Sequence, residues 1–258
     1  MDISKVTLMY FSPTGGTARV GRIAAGQFRA PVEEMDLTGP IMPRARDFGP
    51  HDLVIAATPC YGGRVPEPVA RRLTHMMGRG TPAIPIVAFG GRAHDDALRE
   101  LSDILTGNGC VPVAAAAVAT EYKLDSRFNA GRPDEHDCAK LRTFAIKARV
   151  KIGALPNAEA GRIVLENAEP YKKPVTTHIK PVGNDKCISC GMCARMCPAG
   201  AIDPANPTRT DGSKCILCMR CVKDCPRGAR DLPVLVRRLV SIRCKYMSGW
   251  KAENSFIL

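Results

Sequence analysis

Apolar residues in the first 150 positions come in short continuous runs rather than in strict alternation with polar ones. Residues 6–11 (VTLMYF), 53–57 (LVIAA), 84–89 (IPIVAF) and 113–120 (VAAAAVAT) are almost free of charge, and 32–37 (VEEMDL) is a weaker fifth run. Runs of this length read as strands buried on both faces. Between them, Val20, Ile23, Ala24 and Phe28 recur at helical spacing over residues 17–28, and 67–77, 95–105 and 134–152 are amphipathic. Strands alternating with helices predict an α/β domain over residues 1–153, a doubly wound parallel five-stranded sheet with helices on both faces. The pattern then changes. Residues 154–180 carry three prolines, alternate polar with apolar, and read as a linker. Residues 181–232 form a small cysteine-rich α+β unit. Residues 233–258 form a basic tail, and Leu235, Val236, Leu239, Val240 and Met247 recur at helical spacing between its arginines. Such a helix either packs on the protein's own domains or lies on a membrane surface. No stretch is long enough to predict a transmembrane span.

The chain has 258 residues and 12 cysteines, and eight of these fall into two copies of one pattern. Cys187-x-x-Cys190-x-x-Cys193-x-x-x-Cys197-Pro198 recurs 28 residues later as Cys215-x-x-Cys218-x-x-Cys221-x-x-x-Cys225-Pro226. Each run predicts three thiolates that wrap one corner of a cubane, with the fourth carried away on a short helix to the other copy's cluster. One [4Fe–4S] cluster is thus expected on Cys187, Cys190, Cys193 and Cys225, and a second on Cys215, Cys218, Cys221 and Cys197. Structural zinc sites are built from separated cysteine pairs and fit this pattern poorly. A disulfide framework would need a secretory signal, and the first apolar run is too short for one and has no cleavage site. The expectation is a soluble cytoplasmic protein. The repeat extends beyond the ligands, pairing Lys186-Cys-Ile-Ser-Cys with Lys214-Cys-Ile-Leu-Cys and Cys-Pro-Ala-Gly-Ala201 with Cys-Pro-Arg-Gly-Ala229. Residues 181–232 resemble the bacterial two-cluster ferredoxins, a domain size at which metal must supplement the core.

The first predicted strand runs into Phe11-Ser12-Pro13-Thr14-Gly15-Gly16-Thr17. A loop rich in hydroxyls and glycine between strand and helix presents amides to a phosphate at the helix N-terminus. It is neither a Walker loop nor a dinucleotide fingerprint, and no lysine or arginine lies in it. Ser12-x-Thr14-Gly15-x-Thr17 resembles the phosphate loop of the flavodoxins. That resemblance implies FMN, with its phosphate on Ser12, Thr14, Gly15, Gly16 and Thr17. It also implies ring-binding loops after the third and fourth strands: Pro59, Cys60, Tyr61, Gly62 and Gly63 in one, and Phe89, Gly90, Gly91, Arg92 and His94 in the other. Tyr61 is the natural stacking partner for one face of the ring. The order of the two units resembles the flavodoxin–ferredoxin fusion proteins of anaerobes.

Charge adds a question of partners. The formal net charge is +12, and the excess is uneven: 17 Lys and Arg against 9 Asp and Glu over residues 154–258, versus 20 against 16 over residues 1–153. The basic groups Arg220, Lys223, Arg227, Arg230, Arg237, Arg238, Arg243 and Lys245 either offset cluster charge or form a docking patch for an acidic redox partner protein. With aromatics at 5% and no recognition module, nucleic acid is not expected as a partner. Cys110, Cys138 and Cys244 read as small apolar fillers. His51, His75, His136 and His178 show no metal-ligand spacing, and Glu121 and Tyr122 end the fifth strand where a substrate or partner could meet them. The function these features predict is electron transfer between two [4Fe–4S] clusters and one FMN. The alternative is a flavin-dependent reductase of a quinone, flavin or disulfide, with His94, Tyr61 and Cys60 as candidate catalytic groups. If the centres lie far apart in one chain, transfer would run between the subunits of a dimer.

Overall fold

The computed structural model describes residues 1–165, 170–175, 179–247 and 252–258. In chain order the elements of the first part are β1 (Lys5–Tyr10), α1 (Gly16–Ala25), β2 (Val32–Asp36), β3 (Arg46–Phe48), β4 (Asp52–Pro59), α2 (Glu67–Leu73), β5 (Met76–Gly78), β6 (Thr81–Phe89), α3 (Ala97–Gly107), β7 (Cys110–Pro112), β8 (Ala115–Ala119) and α4 (Glu135–Ala154). The cluster unit contributes β9 (Val182–Gly183), α5 (Met192–Arg195), α6 (Arg220–Lys223) and β10 (Arg230–Asp231), and α7 (Val234–Met247) and β11 (Ser255–Ile257) follow.

One sheet runs β11-β8-β6-β4-β1-β2, with the short β7 also paired to β6. Its first five expected strands lie in the order second, first, third, fourth, fifth, all parallel, which is the flavodoxin-like doubly wound order. The apolar runs become the interior strands because helices cover both faces. Val20, Ala24, Leu141, Phe144 and Ala148 of α1 and α4 close one side, and Val69, Leu73, Leu98, Leu101 and Leu105 of α2 and α3 close the other. β2 is the weaker run because its side chains alternate between half-buried and exposed at the sheet's edge.

Three sequence expectations need correction. The helix expected over 67–77 ends at Leu73, and Met76 and Met77 join β5, which pairs with β3 apart from the main sheet. The fifth strand starts later than the expected run, at Ala115, and the short β7 ahead of that run pairs separately to β6. The tail is not wholly a helix: Ser255–Ile257 return to the first domain and pair antiparallel with Ala115–Ala117 of β8. There Phe256 packs on Phe144 at 5.3 Å between ring centres, and Ala252 is buried. Helix α7 touches the protein through Cys244 and through Ser241, which accepts from Arg127 at 2.5 Å. Its Leu235, Leu239, Ile242 and Tyr246 face outward.

Much of the expected linker is packed. Ile163 donates its amide to Pro112 and lies with Leu165 against the core, and Ala158 is buried. His178, residues 248–251 with Trp250, and the side chain of Met247 lie outside the described residues. Among the described residues no helix is long and apolar enough to cross a membrane.

Candidate functional site

In the cluster unit the 28-residue repeat is a repeat of backbone conformation. Ser189 and Leu217 have φ of 52° and 53°, Gly191 and Met219 of 68° and 61°, and Gly200 and Gly228 of 59° and 56°. Side chains at positive φ cost free energy, so Leu217 and Met219 hold this shape only because the fold around them requires it. Each copy also gives one backbone N–H···S bond, from Ala201 to Cys197 Sγ (3.2 Å) and from Ala229 to Cys225 Sγ (3.3 Å). β9 and β10 pair antiparallel and close the unit.

The eight thiols surround two hollows. One is lined by Cys187, Cys190, Cys193 and Cys225. The other is lined by Cys197, Cys215, Cys218 and Cys221, with Cys193 also at its wall. Cys197 thus lines the hollow of the second copy and Cys225 that of the first. Among the described residues no three His, Cys, Asp or Glu side chains converge on a single-ion site. The two hollows differ in setting. Cys190 is exposed and Ile188 beside it is 61% exposed, whereas burial pushes the Cys218 thiol up to about 12.

Arg230 lies between the two sets of sulfurs. It is 2% exposed and donates to the carbonyls of Pro181 (3.0 Å) and Pro207 and to Thr210 Oγ1. Its Nη1 stands 4.0 Å from Cys193 Sγ, and its charge acts on Cys221. Among the described residues no carboxylate pairs with it.

The other candidate residues gather at the carboxyl edge of the sheet. The β1–α1 turn carries Ser12 to Thr17. Gly15 has φ 91°, a conformation that suits glycine, and no side chain caps α1 apart from Ser12 Oγ, which accepts from Ala18 N at 2.9 Å. The first-turn amides of Gly16 and Thr17 have no intrahelical acceptor, so an anion fits there. Pro59 to Gly63 follow β4. Burial pushes the Cys60 thiol up to about 12, and its Sγ donates to the carbonyl of His94 at 3.5 Å. Tyr61 is half-buried, and burial first, then the charge of the Cys218 thiolate, raises its pKa well above the usual range.

Phe89 to His94 follow β6. Phe89 is 1% exposed and forms the base of this loop, with His94 edge-on to it at 5.6 Å. Burial lowers the His94 pKa, and its Nδ1 has no partner among the described residues. A Cβ on Gly90 would stand 2.7 Å from Tyr122 Cα, and Asn129 Nδ2 donates to the carbonyls of Gly90 (3.0 Å) and Gly91 (3.3 Å). Arg92 and Gly91 lie at the loop's outer rim. Tyr122 turns its ring to Phe128, and Glu121 pairs with Lys123.

Arg64, directly after the Pro59–Gly63 loop, is taken up by α3 and the linker. It forms two 2.7 Å bonds to Glu100 and donates to the Lys172 carbonyl at 2.6 Å. Lys172 N in turn donates to Asp96, and Lys172 Nζ pairs with Asp95.

The second hollow's side of the cluster unit meets this edge. Arg72 of α2, 1% exposed and stacked over Phe11 at 5.7 Å, donates to the Pro198 carbonyl at 2.8 Å. Ile216 packs on the flavodoxin-like core. Arg220 and Lys223 of α6 reach Thr38 O (3.4 Å) and Thr14 O (2.9 Å). Sequence reasoning missed the roles of Arg72 and Asn129 and named Arg230 only as one of a basic group. Only Arg230 left a trace, because the repeat places it opposite Ile202.

Residues 186–230 match the 4Fe-4S dicluster domain family. Among solved structures the chain is similar to a flavodoxin of Streptococcus pneumoniae TIGR4 (17% identity, 57% of this chain and 99% of that one, TM-score 0.42). It is also similar to a flavodoxin from the domain Archaea (12%, 58% and 99%, 0.41) and to the azoreductase AzrA (10%, 57% and 99%, 0.40). No curated protein matches it. The chain therefore joins a flavodoxin-like α/β domain, defined by its strand order, to a 4Fe-4S dicluster domain.

Proposed function

We propose that this chain is an iron–sulfur flavoprotein that relays electrons between two [4Fe–4S] clusters and one FMN, with the general plan of the flavodoxin–ferredoxin fusion proteins. The observation that carries this reading is the packing of the second hollow's residues on the carboxyl edge of the sheet, where Arg72 donates to the Pro198 carbonyl and Ile216 lies on the flavodoxin-like core. Cys187, Cys190, Cys193 and Cys225 hold the outer cluster, and Cys197, Cys215, Cys218 and Cys221 the inner one. Ser12 to Thr17 hold the flavin phosphate, and Pro59 to Gly63 with Gly90 to His94 hold the ring. Bound clusters exchange single electrons and a flavin one or two, so the pairing converts between the two kinds of chemistry. The protein's own part is to set distance and charge: N–H···S bonds at Cys197 and Cys225 and the buried Arg230 favour the reduced clusters. Of the basic groups expected to dock an acidic redox partner protein, Arg230 is buried and Arg220 and Lys223 face the phosphate loop, so the partner is expected at the exposed Arg227, with Lys186, beside the outer cluster.

Reduction of a small acceptor at the flavin is the less supported reading. Burial pushes the Cys60 thiol up to about 12, raises the Tyr61 phenol and lowers His94, shifts that move each away from the neutral range in which a proton-transfer group works best. The test is anaerobic reconstitution followed by stopped-flow reduction with flavin and cluster bands followed separately. About eight irons and one FMN per chain, with two interacting cubane signals, are expected. Full iron content with no flavin bound would overturn the relay.

A further inference from the structure

The phosphate loop contains no cation of its own, and its neighbours on α1 are engaged elsewhere. Arg22 forms two 2.8 Å bonds to Glu34, and Arg19 reaches Cys138 Sγ at 3.7 Å. The cation over the loop comes from the cluster domain. Lys223 Nζ donates to Thr14 O at 2.9 Å, and a Cβ built on Gly15 would stand 3.6 Å from it. One turn earlier on the same short helix, Arg220 Nη1 reaches Thr38 O at 3.4 Å. Thr38 belongs to the loop's own network, since its Oγ1 accepts from Ser12 N at 2.7 Å. Helix α6 therefore grips the phosphate loop at two points, and among the described residues no carboxylate pairs with Lys223.

We propose that Lys223 is the counter-cation of the flavin phosphate, so that the FMN site is completed across the domain boundary. This rests on the reading that the β1–α1 turn binds FMN. A phosphomonoester carries close to two negative charges at neutral pH, and the helix N-terminus with its hydroxyls offers partial charges only. An ammonium within reach of the loop adds a full charge and a charge-assisted hydrogen bond. The phosphate draws the ammonium from the Thr14 carbonyl, a neutral acceptor, to an anionic one. Binding of FMN and docking of the cluster domain then strengthen one another, because each presents a partner that the other lacks.

Riboflavin, which has the same ring and no phosphate, isolates the charge. Full-length protein stripped of flavin but retaining its clusters is titrated with FMN and with riboflavin, following quenching of flavin fluorescence, for the wild type, Lys223→Gln and Lys223→Arg. Lys223→Gln is expected to weaken FMN by about 10-fold to 100-fold, the range of a hydrogen bond to a charged group. Riboflavin affinity should stay unchanged, and Lys223→Arg should recover most of the loss. The wild-type FMN constant should also weaken with added salt more steeply than that of the Gln variant. Equal loss for both flavins would show an interdomain latch and overturn the proposal, as would FMN affinity that Lys223→Gln leaves untouched. Failure of the wild type to bind FMN at all would overturn the FMN reading itself.

Discussion

Arg230 brings a full charge into the cluster domain at 2% exposure, and its oxygen partners are two carbonyls and a hydroxyl, all neutral. A buried guanidinium without a carboxylate is costly to hold unless an anion lies near, and the surrounding groups able to become anionic are the cysteine sulfurs. Arg230→Met is therefore expected to lower both cluster potentials by on the order of 50–100 mV, about 1–2 kcal/mol per electron. EPR-monitored redox titration measures this, and Arg230→Lys should recover part of the shift. Unchanged potentials in a protein with full iron content would show that Arg230 only ties the Pro181 and Pro207 loops together. The repeat gives a hint of this residue, because the first copy has Ile202 where the second has Arg230. The pattern of the eight cysteines was fully legible because its spacing is local. Arg72 and Lys223 were not, because their partners lie 126 and 209 residues away in the chain.

At the scale of elements, the start of α4 illustrates how distant segments become one structure. Asp134 and Asp137 form a capping box, Arg132 makes two bonds to Asp137, and Asn254 beside β11 donates to it at 2.8 Å. Burial alone would push the Asp137 carboxyl up, but the bonds from Arg132, the Asp134 amide and Asn254 outweigh it and hold it at about 2. A carboxyl held low stabilises the fold above its ordinary range near pH 4 and gives up that stabilisation as pH falls towards 2. Asp137→Asn is expected to cost about 3 kcal/mol at pH 7, the usual result of breaking a buried pair. In urea melts the gap to wild type should close between about pH 4 and pH 2; a gap that stays constant across that window would rule the network out as its source. The long apolar runs made the sheet readable, but β11 was not readable. Three residues carry no period of their own, and only the alanines of β8, which leave room beside them, explain why Phe256 lands there.

For the molecule as a whole, the two hollows are unequal. The inner one meets the flavodoxin-like domain through Arg72, Ile216, Arg220 and Lys223, while the outer one carries exposed Ile188 and Cys190. Arg72→Met should therefore lower the potential of one cluster only, by some tens of mV, where Arg230→Met shifts both. A second expectation concerns the surface. Lys186→Glu next to the outer cluster should slow second-order reduction by an acidic donor protein several-fold and flatten its salt dependence, leaving the internal transfer rate unchanged. Equal slowing of both phases would place the entry point elsewhere. The sequence identifies both domains because each carries a local motif, but the contact between them comes from single side chains scattered over both halves and leaves no pattern to read.

The return of Ser255–Ile257 to the sheet changes what kind of object the cluster domain is. The chain leaves the flavodoxin-like domain beyond the packed Ile163 and Leu165 and rejoins it at β8, so the ferredoxin-type unit is an insertion between the fifth and sixth strands in sheet order rather than an appendage. An appendage swings on one tether; an insertion is held by two. A single nick in residues 154–180 would therefore leave the two halves clasped through the β8–β11 edge.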